Sequence, residues 1–222
     1  MLAALAGAWP AGAPAERAGS CRLPPHRQAR LRTARVLVWK VYEPSRESRE
    51  GEVPALTRYF ACVRPDGRTR VIVSATVSLE EGEGVRALTA SGTFVAAVVT
   101  YGEEAGGGED VLVRDTASGR GYGITVLEYV NADNPHFRAP ELERIGMPAG
   151  VGVSNLTIDS RGDAAWVGRT VPHTGESVLY VHGPSGLRRV AIEPAIEDLR
   201  FAGASLRWRS GGTERSAPLS PE

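Results

Sequence analysis

Leu88-Thr-Ala-Ser-Gly92-Thr-Phe94-Val-Ala-Ala97 is an apolar run, a glycine-centred tight turn and a second apolar run. The order returns in Leu156-Thr-Ile-Asp-Ser-Arg-Gly162-Asp-Ala-Ala-Trp166 and in Leu199-Arg-Phe-Ala-Gly203-Ala-Ser-Leu-Arg-Trp208. A second kind of unit alternates with the first along the chain. It reads Tyr59-Phe-Ala-Cys-Val-Arg-Pro-Asp-Gly67-Arg68, Val111-Leu-Val-Arg-Asp-Thr-Ala-Ser-Gly119-Arg120 and Val178-Leu-Tyr-Val-His-Gly-Pro-Ser-Gly186-Leu187. In each, an apolar strand runs into an Asp-Gly or Ser-Gly pair, the chemistry that a hairpin turn with positive φ requires.

Outward from these units, Val36-Tyr42, Arg70-Val73, Thr93-Tyr101, Gly123-Leu127, Ala164-Gly168 and Leu187-Ile192 are short runs rich in Val, Thr, Tyr, Trp and Ile. Short β-branched and aromatic runs between turn residues read as strands, and helical periodicity is almost absent. Residues 193–200 alone suggest a single helical turn. The predicted fold class is all-β. One unit of each kind makes a four-stranded antiparallel meander, which has to stack on a neighbour to bury both faces. About three and a half to four units are present.

The alternating hairpins and the Ala-rich stretches Val95-Ala-Ala-Val98 and Ala164-Ala165 resemble β-propeller repeats of the TolB-like or WD-like kind over roughly residues 35–218. The resemblance implies meanders arranged as a small or incomplete β-propeller, with the small residues crowded near a central axis. Two arrangements stay open. The strands near Ser205–Pro218 complete the sheet that begins at Arg35 and close the ring, or the array is open. On either, residues 21–222 are expected to form a single propeller-like domain.

Composition suits this reading and removes several function classes. The chain has 222 residues, 42% hydrophobic and 23% charged, with 26 glycines and 15 prolines, a profile of many strands joined by turns. Its 26 basic and 26 acidic residues cancel, which excludes a globally basic nucleic-acid binder. Zero is a sum of opposites, because residues 1–40 hold six arginines and Lys40 against Glu16. Lys40 is the sole lysine, an arginine excess that matches the codon bias of a GC-rich bacterial genome.

Residues 1–20 read as a signal peptide or a disordered leader: an apolar run Leu2–Trp9 precedes the small-residue series Ala11–Ala15, without a basic start. No segment is long and apolar enough for a helical membrane span. Cys21 and Cys62, the only cysteines, are expected to form one disulfide that ties the Arg-rich arm Arg22–Arg35 to the first sheet, in a secreted or cell-envelope protein. Lipidation at Cys21 is the alternative, and it would leave Cys62 without a partner.

The chemical motifs are sparse. Arg161-Gly162-Asp163 matches an adhesive tripeptide but falls in a repeat turn. Asn131, Asp133 and Asn134 carry calcium-type oxygens without the sixth-position glycine and late glutamate of a calcium loop, and Glu103–Asp110 is a second acidic stretch; both are expected to be solvated loops, as is Tyr129–Gly150. Gly119-Arg120-Gly121-Tyr122-Gly123 joins two predicted strands and opens no helix, so it is no nucleotide fingerprint. Ser154 lacks a nucleophile elbow, and Asn155-Leu-Thr157 fits a glycosylation acceptor. His26, His136, His173 and His182 show no ligand spacing, and no metal, cofactor or catalytic residue is assigned. Trp39, Trp166 and Trp208 read as core.

The expected function is a non-enzymatic exported binding or scaffolding module, monomeric, whose partner is a protein or an envelope polymer met through loops or through the arm Arg22–Arg35. The rival is a propeller-fold hydrolase or lyase that assembles Asp133, His136, His173 and His182 into one cleft.

Overall fold

A computed structural model of the chain describes residues 21–48, 51–53, 55–64, 66–77, 84–103, 106–130, 136–138, 152–169, 175–183 and 186–219. The leader 1–20, the oxygen-rich Asn131–Asn134 and most of the loop to Gly150 lie outside these residues.

Every regular element described is a strand. Strands β1 (Ala29–Arg32) and β2 (Val36–Glu43) form a hairpin, a small ribbon of β3 (Arg46–Ser48) and β4 (Gly51–Val53) follows, and β5 (Ala55–Val63) and β6 (Thr69–Val77) complete a first antiparallel sheet ordered β1-β2-β5-β6. The second sheet is a meander of β7 (Gly84–Ser91), β8 (Phe94–Glu103), β9 (Gly106–Asp115) and β10 (Gly121–Val130), extended at its outer edge by β11 (His136–Arg138). The third contains β12 (Gly152–Ile158), β13 (Ala164–Arg169), β14 (Ser177–Gly183) and β15 (Gly186–Glu193). The fourth has β16 (Glu197–Ala202), β17 (Ser205–Ser210) and β18 (Thr213–Pro218).

Turn chemistry sets these boundaries. Gly92, Gly162 and Gly203 close the first hairpin of the second, third and fourth sheets, and Gly67, Gly119 and Gly186 close the last hairpin of the first three, all at positive φ. The first hairpin of the first sheet has no glycine. There Thr33 replaces it, its Oγ1 accepting the Val36 N–H at 2.9 Å.

The sheets stack in chain order. On β8, Val95, Ala97 and Val99 face the first sheet and pack with Val36, Val38, Tyr59 and Ile72, while Ala96 and Val98 face the third. On β13, Ala164 and Trp166 turn back to the second sheet, and Ala165 and Val167 turn forward to Leu206 and Trp208 of the fourth. The second strands β8 and β13 are therefore buried on both faces, which is why they read as continuous apolar runs rather than alternations. The predicted crowding of alanines is real but sits between sheets. The first strands β1, β7, β12 and β16 touch one another in succession.

The turns interlock as well. A Cβ on Gly162 would lie 2.6 Å from the Phe94 ring, and one on Gly92 would lie 3.3 Å from Ser160. Glycine at both positions lets the hairpin tips of neighbouring sheets meet.

Four differences from the sequence reading have physical causes. The strands Ser205–Pro218 do not complete the first sheet: they pair with β16, and β1, which carries half-buried Leu31, supplies the missing edge. Residues 193–200 form no helical turn, because Pro194 interrupts and Leu199 and Phe201 are drawn into the core as strand residues. Within Glu103–Asp110, residues 106–110 are strand rather than a solvated loop, and residues 104 and 105 lie outside the described residues. β8 runs to Glu103 and β9 starts at Gly106, leaving Glu109 only 2% exposed. Within Tyr129–Gly150, Tyr129 and Val130 end β10 and pair with Phe137 and His136 of β11.

The two end sheets are finished differently. Cys21 is disulfide-bonded to Cys62, and with Leu23 it covers Leu37, Trp39 and Phe60 on the outer face of the first sheet. The outer face of β17 carries the exposed Arg207 and Arg209, paired with Glu214 and Asp198. A polar outer face is how a stacked array ends without a further neighbour. No described sheet closes on itself, and no described helix is long and apolar enough to cross a membrane.

Candidate functional site

Among the described residues, four places that gather polar chemistry bear on function. The first is the turn between β12 and β13. Asp159 accepts the Arg161 and Asp163 N–H groups at 2.8 and 3.0 Å, and Arg161 bridges the Asp159 and Asp163 carboxylates at 2.8 and 3.0 Å. Tyr122 of β10 donates to the Gly162 carbonyl at 3.0 Å. Burial and the neighbouring Asp159 raise the Asp163 carboxyl above its usual range, against the opposing pull of Arg161. Burial, then the charges of Asp163 and Asp159, push the Tyr122 hydroxyl up despite a backbone hydrogen bond. The adhesive tripeptide thus presents Arg161 but buries Asp163, and this turn is a fastener between two sheets.

His182 of β14 adjoins that turn, its ring 4.1 Å from the Tyr122 ring. Burial depresses its pKa and so favours the uncharged imidazole. Of the rival catalytic set, His182 is the one member whose side chain is described: Asp133 and His173 lie outside the described residues, and His136 is defined as backbone at the start of β11. No group of three metal-ligating side chains forms among the described residues.

The second place is Glu109, on the face of β9 toward the third sheet. Its Oε2 accepts the Val153 N–H at 2.7 Å, and its Oε1 pairs with Arg86, which also donates to the Val153 carbonyl. Desolvation raises its pKa, with the Val153 hydrogen bond and the Arg86 charge opposing and Asp110 adding to the rise. Three groups on three strands lock β12 to the second sheet.

The third is a cleft of about 520 Å³ between the third and fourth sheets, lined by Ser154, Asn155, Arg169, Glu176, Ser177 and Glu197 among others. Ser154 donates to the Val167 carbonyl at 3.2 Å and Asn155 to that of Ile196 at 3.4 Å, so both side chains bind strand edges. One guanidinium facing two carboxylates gives the cleft no strong charge.

The fourth is larger, a groove of about 1080 Å³ between the first and second sheets. Thr69–Ser74 of β6 form one wall, and Leu112, Arg114, Gly119, Arg120 and Gly121 form the other. Its lining holds three guanidiniums and no carboxylate, and none of Arg70, Arg114 and Arg120 takes part in an ion pair among the described residues.

The glycine-rich run Gly119–Gly123 seats these cations. A Cβ on Gly119 would fall 3.0 Å from the Arg70 guanidinium, and one on Gly121 would fall 2.8 Å from that of Arg114. Arg70 donates through Nε and Nη2 to the Thr116 and Ala117 carbonyls, both at 3.1 Å, and Arg114 donates through Nη1 to the Val113 carbonyl at 3.3 Å. Each guanidinium carries five N–H donors, so anchoring leaves several for a ligand. The neighbouring carboxylate, Asp115, is occupied. It accepts from Thr93 and from the Ala117 and Ser118 N–H groups, and although desolvation raises its pKa, those bonds outweigh it and hold the carboxyl low and charged.

The sequence reading missed Arg70, Arg114 and Arg120. The available signal was the pair of arginines that flanks the Ser-Gly hairpin at Arg114 and Arg120, and Arg70 two residues after the similar pair Arg64/Arg68. Comparison with known protein families finds none that matches this chain, and comparison with curated proteins likewise finds no match.

Proposed function

We propose that this chain is a non-enzymatic binding module, a small or incomplete β-propeller exported to the envelope or beyond, that holds an anionic ligand in the groove between its first two sheets. The observation that carries this is the groove lined by Arg70, Arg114 and Arg120 without a carboxylate. Two cations anchored on backbone carbonyls, Arg70 and Arg114, with the exposed Arg120 beside them, form a surface for carboxylates or phosphates, and such a field also speeds encounter with anions.

Successive stacking of the sheets, with first strands adjacent, supports the propeller-like architecture. The Cys21–Cys62 bond fits an oxidising compartment. Of the hydrolase or lyase set Asp133, His136, His173 and His182, only the His182 side chain is among the described residues, and its ring lies on Tyr122 beside a structural turn.

The test is a titration of fluorescent decaglutamate into the full chain at low ionic strength. Arg120 is exposed, so Arg120→Glu is expected to leave the fold intact, which the far-ultraviolet circular dichroism of the variant checks. It is expected to weaken binding about tenfold, removing one attraction and adding one repulsion of roughly 0.5–1 kcal/mol each. Equal binding by the two proteins contradicts the proposal.

A further inference from the structure

We infer that the ligand is an extended acidic peptide that pairs as a strand with the outer edge of β6. This rests on the groove being an anion site and adds the geometry of the occupant. Six consecutive residues, Thr69–Ser74, line the groove. Successive side chains of a strand point to opposite faces, so a continuous wall of this kind means that the groove follows the strand's edge. β6 is the last strand in the order β1-β2-β5-β6, and no described strand pairs with its outer side.

The four outer edges are not alike. That of the second sheet is already extended by β11, which pairs antiparallel with Glu128–Val130. On β15, Arg188 and Arg189 stand in succession, and Arg188 reaches across to the Pro218 and Leu219 carbonyls. β18 is short and carries Glu214, Arg215 and Pro218. Charge, proline and covering segments are the devices that keep an edge from pairing. Among the described residues β6 has none of them except Arg70. It is nine residues long, Thr-Arg-Val-Ile-Val-Ser-Ala-Thr-Val, and β-branched at six of them. Val71, one of three exposed large apolar side chains among the described residues, stands in the middle of the groove wall.

Such an edge is a template for strand addition, in which main-chain hydrogen bonds supply affinity and alternate side chains supply specificity. The specificity elements are Val71 for an apolar side chain and Arg70, Arg114 and Arg120 for carboxylates. A second copy of this chain would present the same three arginines, so self-pairing sets like charges together. An acidic peptide is the complementary occupant.

The test uses the intact chain and two peptides of equal charge, acetyl-Glu-Val-Glu-Val-Glu-Val-Glu-amide and its analogue N-methylated at every residue, which has no residue N–H on either edge to give to a strand ladder. The unmodified peptide is expected to bind at least tenfold more tightly and to slow hydrogen exchange at alternate amides within Thr69–Ser74. Arg120→Glu is expected to weaken both peptides. Equal affinity of the two peptides overturns strand addition while leaving the anion site standing. Failure of both to bind overturns the anion site as well. Exchange protection of β6 that rises with protein concentration in the absence of peptide would identify a second copy as the occupant and overturn the inference.

Discussion

Glu109 of β9 and Val153 of β12 are joined across two sheets by a hydrogen bond of 2.7 Å from the Val153 N–H to a carboxylate only 2% exposed. Arg86 closes the arrangement by pairing with Glu109 and donating to the Val153 carbonyl. An inserted stretch of glycines and acids thereby becomes an inter-sheet fastener.

Glu109→Ala leaves the Val153 N–H and Arg86 without their acceptor and is expected to cost about 1–3 kcal/mol in urea unfolding. The pH dependence has a definite sign. Because the folded pKa is raised, the Glu109 contribution is fully present below the ordinary glutamate value of 4.5 and is lost as pH rises through the folded value. Measured against Glu109→Gln, which does not titrate, the wild type should lose relative stability from pH 4.5 upward. A flat difference, or one of opposite slope, contradicts this assignment.

Gly162→Ala and Gly203→Ala separate turn strain from inter-sheet contact. Both glycines have positive φ, 92° and 62°, so each substitution costs about 1–2 kcal/mol in backbone strain. At Gly203 nothing lies within 4 Å of the new Cβ, whereas at Gly162 the Phe94 ring lies 2.6 Å away. Thermal unfolding should show Gly162→Ala to be worse by a further 1–3 kcal/mol or so, the scale of an overpacked contact. Equal losses would mean that the second and third sheets do not meet there.

This pair also shows what the sequence could disclose. The six turn glycines, Gly67, Gly92, Gly119, Gly162, Gly186 and Gly203, were legible because a positive φ selects its residue locally. The hairpin at Thr33 was not, since a side-chain hydroxyl does the work of a glycine there. Glu109 looked like a solvated acid because its partners, Arg86 and Val153, come from other strands. The groove was hidden for the same reason: Arg70 reaches the Thr116 carbonyl across 46 positions of chain, and no local pattern reports such a meeting.

Removing the disulfide is expected to cost about 4 kcal/mol, the loop-closure scale for a separation of 41 residues. The Cys21→Ala, Cys62→Ala variant should also uncover Trp39, which stacks on Phe60 beneath the arm at 5.8 Å between ring centroids. A red-shifted tryptophan emission with a lowered melting temperature is the expected result. An unchanged melting temperature would show that the arm contributes nothing to the first sheet.

Trp166→Ala empties the space between the second and third sheets, where the indole is fully buried against Val98, Val111 and Tyr180. A loss of about 3–5 kcal/mol in denaturant unfolding is expected, the scale of a large aromatic truncated in a core. A loss below 1 kcal/mol would contradict stacking of those sheets.

The central claim, that the arginine-lined groove between the first and second sheets is the ligand site, is tested most directly by mapping backbone amide shifts of the full chain as decaglutamate is added. The expected shifts cluster on Thr69–Ser74, Arg114 and Gly119–Gly121 and fade as salt is raised. Shifts confined to the cleft of Ser154, Arg169 and Glu197, or to the turn beside His182, would contradict it.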